Sequence, residues 1–179
     1  SNETGAAGVL TGAVYVYVRN SGSQSWVLQQ RIEGPGVFAS QRFGTTVALS
    51  GDTLAVGNAP DNINLSGRVD VYVRTGTTWT LQASPGGGFY PKVSLKGDTL
   101  VVGSLEANTN TAVGLTQVYE RTGTTWSAGI SLPSPGAVAG DFTGSSVGVS
   151  GETICVGASG STTATTPGAV RVYVKSGST

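Results

Sequence analysis

One short apolar segment occurs four times along the chain, and this internal repetition constrains the fold more than any other feature. Each copy starts with Gly and then alternates its side chains; the copies are Gly12–Arg19, Gly67–Arg74, Gly114–Arg121 and Gly168–Lys175, and they start 55, 47 and 54 residues apart. In the first copy three valines fall on one side of an extended strand, and Tyr15, Tyr17 and Arg19 fall on the other. The alternation therefore predicts a β-strand that recurs once in each structural unit.

A second repeated segment lies between these strands. It consists of two apolar runs around a Gly-Asp or Gly-Glu pair, and its copies are Val47–Gly57, Val93–Gly103 and Val147–Gly157. Such a pair between apolar runs is typical of a tight β-hairpin. A polar turn and a tryptophan follow the first three copies of the alternating segment; these residues are Trp26, Trp79 and Trp126. We expect the hairpin to form two strands of each unit, the alternating segment the third, and the segment that starts at Trp the fourth.

Four short strands at a period of roughly 40–50 residues are typical of a β-propeller blade. The 28 Gly and 43 Ser or Thr residues favour turns and strands over helices, so an all-β fold is expected. We predict the end of a first blade in residues 1–37, blades in residues 38–83 and 88–132, and an incomplete blade in residues 141–179. The expected 13 strands are too few for a closed ring, which predicts a partial or open propeller of about three blades.

These segments resemble the FG-GAP repeat, which builds the head propeller of integrin α-chains and occurs in many bacterial and algal surface proteins. The matching residues of the first full repeat are Phe43, Gly44, Gly57, Ala59 and Pro60, and looser matches in the last repeat are Phe142, Gly144 and Gly157. The resemblance covers nearly the whole chain. It implies a non-enzymatic, extracellular or cell-surface propeller that acts in adhesion, protein–protein interaction or surface-structure assembly.

Members of this family often carry an acidic calcium loop between the first two strands of a blade. Here the corresponding turns are two residues long; they contain Asp52, Asp98 and Glu152. A two-residue turn has no room for the five or six oxygen ligands of a calcium ion, so we expect no metal site and no cofactor. The three acids are expected to serve as turn residues, too far apart on successive blades to share a proton.

Charge and residue content bear on the remaining functions. Ten basic residues balance ten acidic ones, so the chain lacks the positive charge of a nucleic-acid binder, and no apolar run approaches the roughly 20 residues of a membrane span. There is no His, which removes the commonest general base, and we expect no enzymatic activity. The one cysteine, Cys155, aligns with Ala55 and Val101 and is expected to be a small buried residue.

The repeated tryptophans have two interpretations. Because they recur at one structural position, we expect Trp26, Trp79 and Trp126 to pack against a neighbouring strand or blade. The alternative is that they stack on sugars, which would make the chain a carbohydrate-binding module with aromatic residues on its rim.

Glycosylation and partners complete the expectations. Candidate N-glycosylation sites are Asn2 and Asn64, and candidate O-glycosylation sites are Thr162, Thr163, Thr165 and Thr166. Incomplete first and last blades would expose sheet faces, so something should cover them. We expect one of three arrangements and favour the first: the chain is part of a longer polypeptide that completes the propeller, it pairs with itself or with a protein partner, or a strand swap joins its two ends.

Overall fold

The computed structural model describes residues 12–35, 42–59, 66–105, 112–160 and 167–176. Within these ranges every regular element is a β-strand, as the alternating and hairpin patterns predict. The strands are β1 (Ala13–Arg19), β2 (Trp26–Glu33), β3 (Thr46–Ser50), β4 (Thr53–Gly57), β5 (Gly67–Thr75), β6 (Thr78–Lys96), β7 (Thr99–Leu105), β8 (Leu115–Thr122), β9 (Thr125–Trp126), β10 (Ile130–Ser131), β11 (Thr143–Ser150), β12 (Thr153–Ala158) and β13 (Ala169–Val174). No helix in the described part of the chain is long and apolar enough to span a membrane.

All of the strand pairs are antiparallel, and they form four consecutive groups that we call blades 1 to 4. Blade 1 is β1 with β2, and blade 4 is β11, β12 and β13 in that order. Blade 2 is β3, β4, β5 and the first part of β6. Blade 3 is the second part of β6 with β7, β8 and the short strands β9 and β10, which both pair with β8.

The junction between blades 2 and 3 differs from the sequence expectation. The predicted blades end at residue 83 and begin again at residue 88, whereas β6 runs through residues 84–87 as one strand of 19 residues. Its first part pairs with β5 up to Gly88, and its second part pairs with β7 from Phe89 onward. The fourth strand of blade 3 is instead divided into β9 and β10, so the strands of the described residues number 13 but are divided differently from the expected ones. The predicted blade limits themselves stay a prediction.

The predicted hairpins form at the Gly-Asp and Gly-Glu pairs. In the first of them Ser50 pairs with Thr53, which leaves only Gly51 and Asp52 in the turn. Gly51 has a φ of +57°, a left-handed conformation that costs glycine little and other residues more. The same turn recurs at Gly97 and Gly151, each with a φ of +56°.

Neighbouring blades pack face to face and bury two apolar clusters. The cluster between blades 1 and 2 contains Ile32, Phe43, Leu54, Val56, Tyr72 and Trp79, with Val14 and Val16 packed against it. The cluster between blades 2 and 3 contains Ala55, Val69, Val71, Val93, Leu95, Leu100, Val102 and Tyr119, with Ala48 and Trp126 packed against it. The valines of β1 and β5 therefore face the following blade, and Tyr72 of β5 and Tyr119 of β8 face the preceding one.

The first strands of blades 2, 3 and 4 lie beside one another. The amide of Gly97 in blade 3 donates a hydrogen bond of 3.0 Å to Oγ of Ser50 in blade 2. The amide of Val149 in blade 4 donates one of 3.0 Å to Oγ of Ser94 in blade 3. Antiparallel sheets whose equivalent strands adjoin are the arrangement of a partial β-propeller, and the all-β fold prediction is confirmed.

Candidate functional site

The tryptophan that opens the fourth strand joins two neighbouring blades. Trp79 is only 4% exposed. Its indole Nε1 donates to Oε1 of Gln29 in blade 1 at 2.9 Å. The side-chain amide of Gln30 accepts from the Trp79 amide at 2.7 Å and donates to its carbonyl at 3.1 Å. Three hydrogen bonds thus hold this tryptophan on blade 1.

An arginine and an aspartate complete this arrangement within blade 2. The guanidinium of Arg74 lies over the Trp79 ring, 5.6 Å from its centroid. Its Nε donates to Oδ1 of Asp52 at 2.7 Å. The turn residue Asp52 therefore also orients the arginine that covers the tryptophan, a role that turn chemistry did not reveal.

The same set of side chains recurs one blade later. Arg121 lies 5.3 Å from the centroid of the Trp126 ring, and its Nε donates to Asp98 at 2.7 Å. The Trp126 Nε1 donates to Gln82 of blade 2 at 3.1 Å. Gln29 and Gln82 each lie three residues after a tryptophan, a shared spacing that the sequence contains and that could have identified them.

Trp26 occupies the equivalent position in blade 1 but is 68% exposed. It lies on the same face of blade 1 as Tyr15 and Tyr17, and no described blade packs against that face, whereas their counterpart Tyr72 is buried against blade 1. We call Tyr15, Tyr17 and Trp26 the aromatic face. The packing expected for the tryptophans thus occurs at Trp79 and Trp126, whereas no described residue covers Trp26.

No described residue packs against the opposite face of blade 4. Val170, Val172 and Val174 of β13 are all exposed. Their counterparts Val69 and Val71 of β5 are fully buried against blade 3. We call these three exposed residues of β13 the valine face. It presents the side of a blade that, earlier in the chain, contacts the next one.

The prediction that Cys155 is buried is wrong, because Cys155 is exposed. Cys155 pairs with Val172 between β12 and β13, as Ala55 pairs with Val71 between β4 and β5. Ala55 is buried because blade 3 packs on it, whereas no described residue covers the same face of blade 4. Alignment with Ala55 located the residue correctly in its strand but did not determine its burial.

The residues of the FG-GAP resemblance lie where blades converge. Phe43 is buried and meets Tyr72 edge to face, with ring centroids 6.2 Å apart. Gly44 follows it with a φ of +88°. Ala59 is buried, and Pro60 lies outside the described residues.

In blade 4 the residue at the position of Phe43 lies one place after the expected Phe142. A Cβ on Gly114 would lie 2.1 Å from the carbonyl oxygen of Thr143, as a Cβ on Gly12 would lie 2.3 Å from that of Phe43. Thr143 therefore takes the place of Phe43, and Gly144, with a φ of +88°, takes the place of Gly44.

The glycines that end the second strands are packed closely, but not all against a neighbouring blade. A Cβ on Gly57 or Gly157 would meet a side chain of its own blade, Thr46 at 2.4 Å or Ser146 at 2.2 Å. Only a Cβ on Gly103 would meet the next blade, 2.2 Å from the Gly144 carbonyl oxygen. Close approach between blades therefore explains Gly103, while packing within the blade explains the other two.

The described acidic residues are dispersed. Asp52 and Asp98 form exposed ion pairs with arginines of their own blades. Glu152 accepts the Lys175 amide through its backbone carbonyl at 2.9 Å. Among the residues that the structure describes, no group of three or more His, Cys, Asp or Glu side chains lies close enough to hold a metal ion.

One acid is buried between blades 1 and 2. The Asp70 carboxylate accepts hydrogen bonds from Arg68 Nη2 at 3.0 Å and from the Ser84 hydroxyl at 2.5 Å, and Arg68 Nη2 also donates to the Pro35 carbonyl of blade 1 at 2.9 Å. Burial, and secondly the negative charge of Asp70, raise the pKa of Tyr72 well above its usual value. These contacts tie two blades together, which indicates a structural role.

The candidate glycosylation residues fall outside the described ranges; they are Asn2, Asn64, Thr162, Thr163, Thr165 and Thr166. They stay predictions. The candidate functional surfaces among the described residues are the aromatic face and the valine face.

Residues 26–73 match the family model of the FG-GAP repeat, a span that covers β2, β3 and β4 and most of β5. The chain matches no curated protein. An FG-GAP repeat indicates a β-propeller domain for protein interaction, and such domains are generally non-catalytic and typically extracellular. The chain therefore carries an FG-GAP repeat, with residues 26–73 as the matched copy.

Proposed function

We propose that the chain is a non-enzymatic, extracellular or cell-surface propeller unit that acts in adhesion, protein–protein interaction or surface-structure assembly. The observation that carries this proposal is the pair of sheet faces against which no described blade packs. Each of them repeats one half of a contact that is buried elsewhere in the same chain. Contiguous apolar surface of this kind marks interaction sites.

The occupants of these faces follow from the internal contacts. A third-strand valine row packs on the tyrosine-bearing face of the next blade. We therefore expect further propeller blades to cover the valine face and the aromatic face, from the remainder of a longer polypeptide or from a protein partner. Balanced charge favours a protein partner over nucleic acid, and no membrane insertion is part of the proposal.

Adhesion of coated beads tests the proposal. Beads that carry the unaltered chain should adhere to intact cells of the source organism. Beads that carry Val172→Asp should adhere several-fold less, because a carboxylate would interrupt the valine face. Thr124→Asp, in an exposed turn of blade 3, is the control and should adhere like the unaltered chain.

Cell labelling tests the location. An antibody against the chain should label cells without permeabilisation. Labelling that requires permeabilised cells, or equal adhesion of the unaltered chain and Val172→Asp, would contradict the proposal.

A carbohydrate-binding function is the second candidate, and the exposure of Trp26 favours it. A flat aromatic ring that is open to solvent is suited to stacking on a sugar, whereas the buried Trp79 is not. The test is a glycan array with Trp26→Ala. Binding that the substitution abolishes supports this function, and an array without any bound glycan excludes it for the glycans present.

A further inference from the structure

A small pocket of about 120 Å³ lies between blades 3 and 4, where the first strands of the two blades begin. Six residues of these two blades line it: Tyr90, Lys92, Leu105, Phe142, Gly144 and Ser145. A cavity of about 150 Å³ holds one benzene ring, so a pocket of this size suits a ligand of about one ring.

The lysine in the lining departs from the repeat. Lys92 pairs with the glycine that ends the second strand of blade 3, and the residues with the same pairing in blades 2 and 4 are Thr46 and Ser146. No described carboxylate forms an ion pair with Lys92. A positive charge that the repeat does not require therefore stands at the pocket.

The two aromatic residues of the lining have left-handed backbone conformations. Two residues before the lysine, Tyr90 has a φ of +50°, where blades 2 and 4 have Gly44 and Gly144, each with a φ of +88°. Phe142 has a φ of +54° at the position of Arg42, whose φ is +47°, so there the conformation belongs to the repeat and only the ring is particular to blade 4. Such conformations disfavour bulky side chains and concentrate at ligand-binding sites.

The equivalent space between blades 2 and 3 is occupied by a proline. Pro91 is fully buried, and its ring lies 3.4 Å from a Cβ placed on Gly57 and 3.0 Å from one placed on Gly67. The corresponding residue of blade 4 is Ser145, whose smaller side chain leaves room for the pocket. The pocket therefore results from the residues of two adjoining blades, both of which the structure describes.

The polar groups of the lining favour an anion. Lys92 is positively charged, and the Tyr90 hydroxyl is a second donor. The Ser145 hydroxyl already donates to the Gly157 carbonyl at 3.2 Å. One lysine matches the single charge of a carboxylate, whereas a phosphate carries up to two charges. The lysine also repels cations, which aromatic rings alone would attract.

The remaining walls favour an apolar ring on that anion. Leu105, Phe142 and the Tyr90 ring supply hydrophobic surface, and aromatic rings pack well against other flat rings. A carboxylate that leaves water needs a charged partner, which Lys92 provides.

We infer that this pocket binds a small aromatic carboxylate, with its ring against Tyr90 and Phe142 and its carboxylate on Lys92. The inference goes beyond the proposed function, because no residue of the lining belongs to the aromatic face or the valine face. It gives the chain a small-molecule site in addition to its interaction surfaces.

The probe is 4-fluorobenzoate, observed by fluorine NMR in the presence of the full chain. Its signal should shift or broaden saturably as protein is added. 4-Fluorobenzamide has the same ring without the charge and should bind at least about tenfold more weakly, because it cannot form a charge-assisted hydrogen bond as acceptor for Lys92. Acetate has the charge without the ring and should not displace the probe at equal concentration.

Two lysines of β6 provide matched protein variants. Lys92 lines the pocket, whereas Lys96 is exposed and lies outside the lining. Lys92→Met should weaken binding of 4-fluorobenzoate at least about tenfold, and Lys96→Met should leave it unchanged. Circular dichroism checks that both variants fold like the unaltered chain. If Lys92→Met does not fold, the comparison of the two fluorinated probes on the unaltered chain still decides the inference.

Tyr90→Gly tests whether the aromatic ring serves the ligand. The substitution restores the residue of Gly44 and Gly144, and glycine adopts the left-handed conformation at little cost, so the midpoint of thermal unfolding should not fall. Binding of 4-fluorobenzoate should weaken several-fold. A lower midpoint with unchanged binding would show that the ring serves packing and would contradict the inference.

Three further outcomes would overturn it. They are absence of saturable 4-fluorobenzoate binding, equal binding of the benzoate and benzamide probes, and equal loss in the two lysine variants. Each of them would leave the proposed function in place, because that function depends on other surfaces.

Discussion

The indole Nε1 of Trp79 donates a hydrogen bond of 2.9 Å to Oε1 of Gln29 and so links the fourth strand of blade 2 to that of blade 1. Trp126 and Gln82 form the same link one blade later, at 3.1 Å. The fourth strands of blades 2 and 3 therefore begin with a donor to the preceding blade. The fourth strands of blades 1 and 2 carry an acceptor for the following blade, Gln29 and Gln82.

The two tryptophans at equivalent positions should differ sharply in their effect on stability. Trp79→Ala should lower the free energy of unfolding by about 3 to 5 kcal/mol, because it removes a buried aromatic side chain. Trp26→Ala should change it by less than about 0.5 kcal/mol, because that ring is exposed. Urea denaturation followed by circular dichroism measures both, and a similar loss in the two variants would show that Trp26 is buried in solution.

The Trp79–Gln29 hydrogen bond should appear as a coupling energy. In a double-mutant cycle, Gln29→Ala should cost about 1 to 3 kcal/mol in the unaltered protein, because it leaves a buried N–H without an acceptor. In the Trp79→Phe background the same change should cost less by about 0.5 to 1.5 kcal/mol. Additive effects of the two substitutions would argue against this hydrogen bond.

Alanine substitution at two glycines distinguishes the cost of a left-handed backbone conformation from the cost of a steric contact between blades. Gly114 and Gly123 both have positive φ values, +88° and +63°. A Cβ on Gly114 would lie 2.1 Å from the Thr143 carbonyl oxygen, whereas a Cβ on Gly123 would meet nothing within 4 Å. Gly123→Ala should cost about 1 to 2 kcal/mol from the left-handed conformation alone.

Gly114→Ala should cost clearly more than Gly123→Ala, because blades 3 and 4 must also move apart. Thermal denaturation compares the two variants directly. Equal losses would mean that the contact between Gly114 and Thr143 does not limit the approach of these blades.

Stability should fall at alkaline pH through the buried tyrosines. Burial raises the pKa of Tyr72 above its unfolded value of about 10, and burial also raises the pKa of Tyr119. Below pH 10 both states keep the Tyr72 proton, so its contribution is constant. As the pH rises from about 10 toward the folded pKa, only the unfolded state loses the proton, and the free energy of unfolding falls.

Tyr72→Phe tests this assignment. The difference in unfolding free energy between this variant and the unaltered protein should stay constant from about pH 7 to 9. Above about pH 10 it should shift in favour of the variant, which has no phenol to ionise. Urea titrations over this range provide the measurement, and parallel pH curves up to pH 11 would contradict the raised pKa.

Local structure was largely predictable because it depends on near neighbours in the chain. The alternation of Val14, Tyr15 and Val16 predicts a strand, and β1 covers these residues. The Gly51-Asp52 pair predicts a two-residue turn, which the pairing of β3 and β4 confirms. The repeat did not predict that the fourth strand of blade 3 is divided into β9 and β10. After its tryptophan this copy departs from the repeat, because it has Ala128 and Gly129 where blade 2 has Leu81 and Gln82.

The sequence by itself determined the all-β class, the hairpins and the repeating unit, because hydrophobic period and turn residues act over a few neighbouring positions. Only the tertiary structure decided which copy of each repeated residue is buried. Trp79 and Ala55 are covered, while their counterparts Trp26 and Cys155 are exposed. The physical reason is that the repeat places a side chain on a face, whereas its burial depends on the blade that packs against that face.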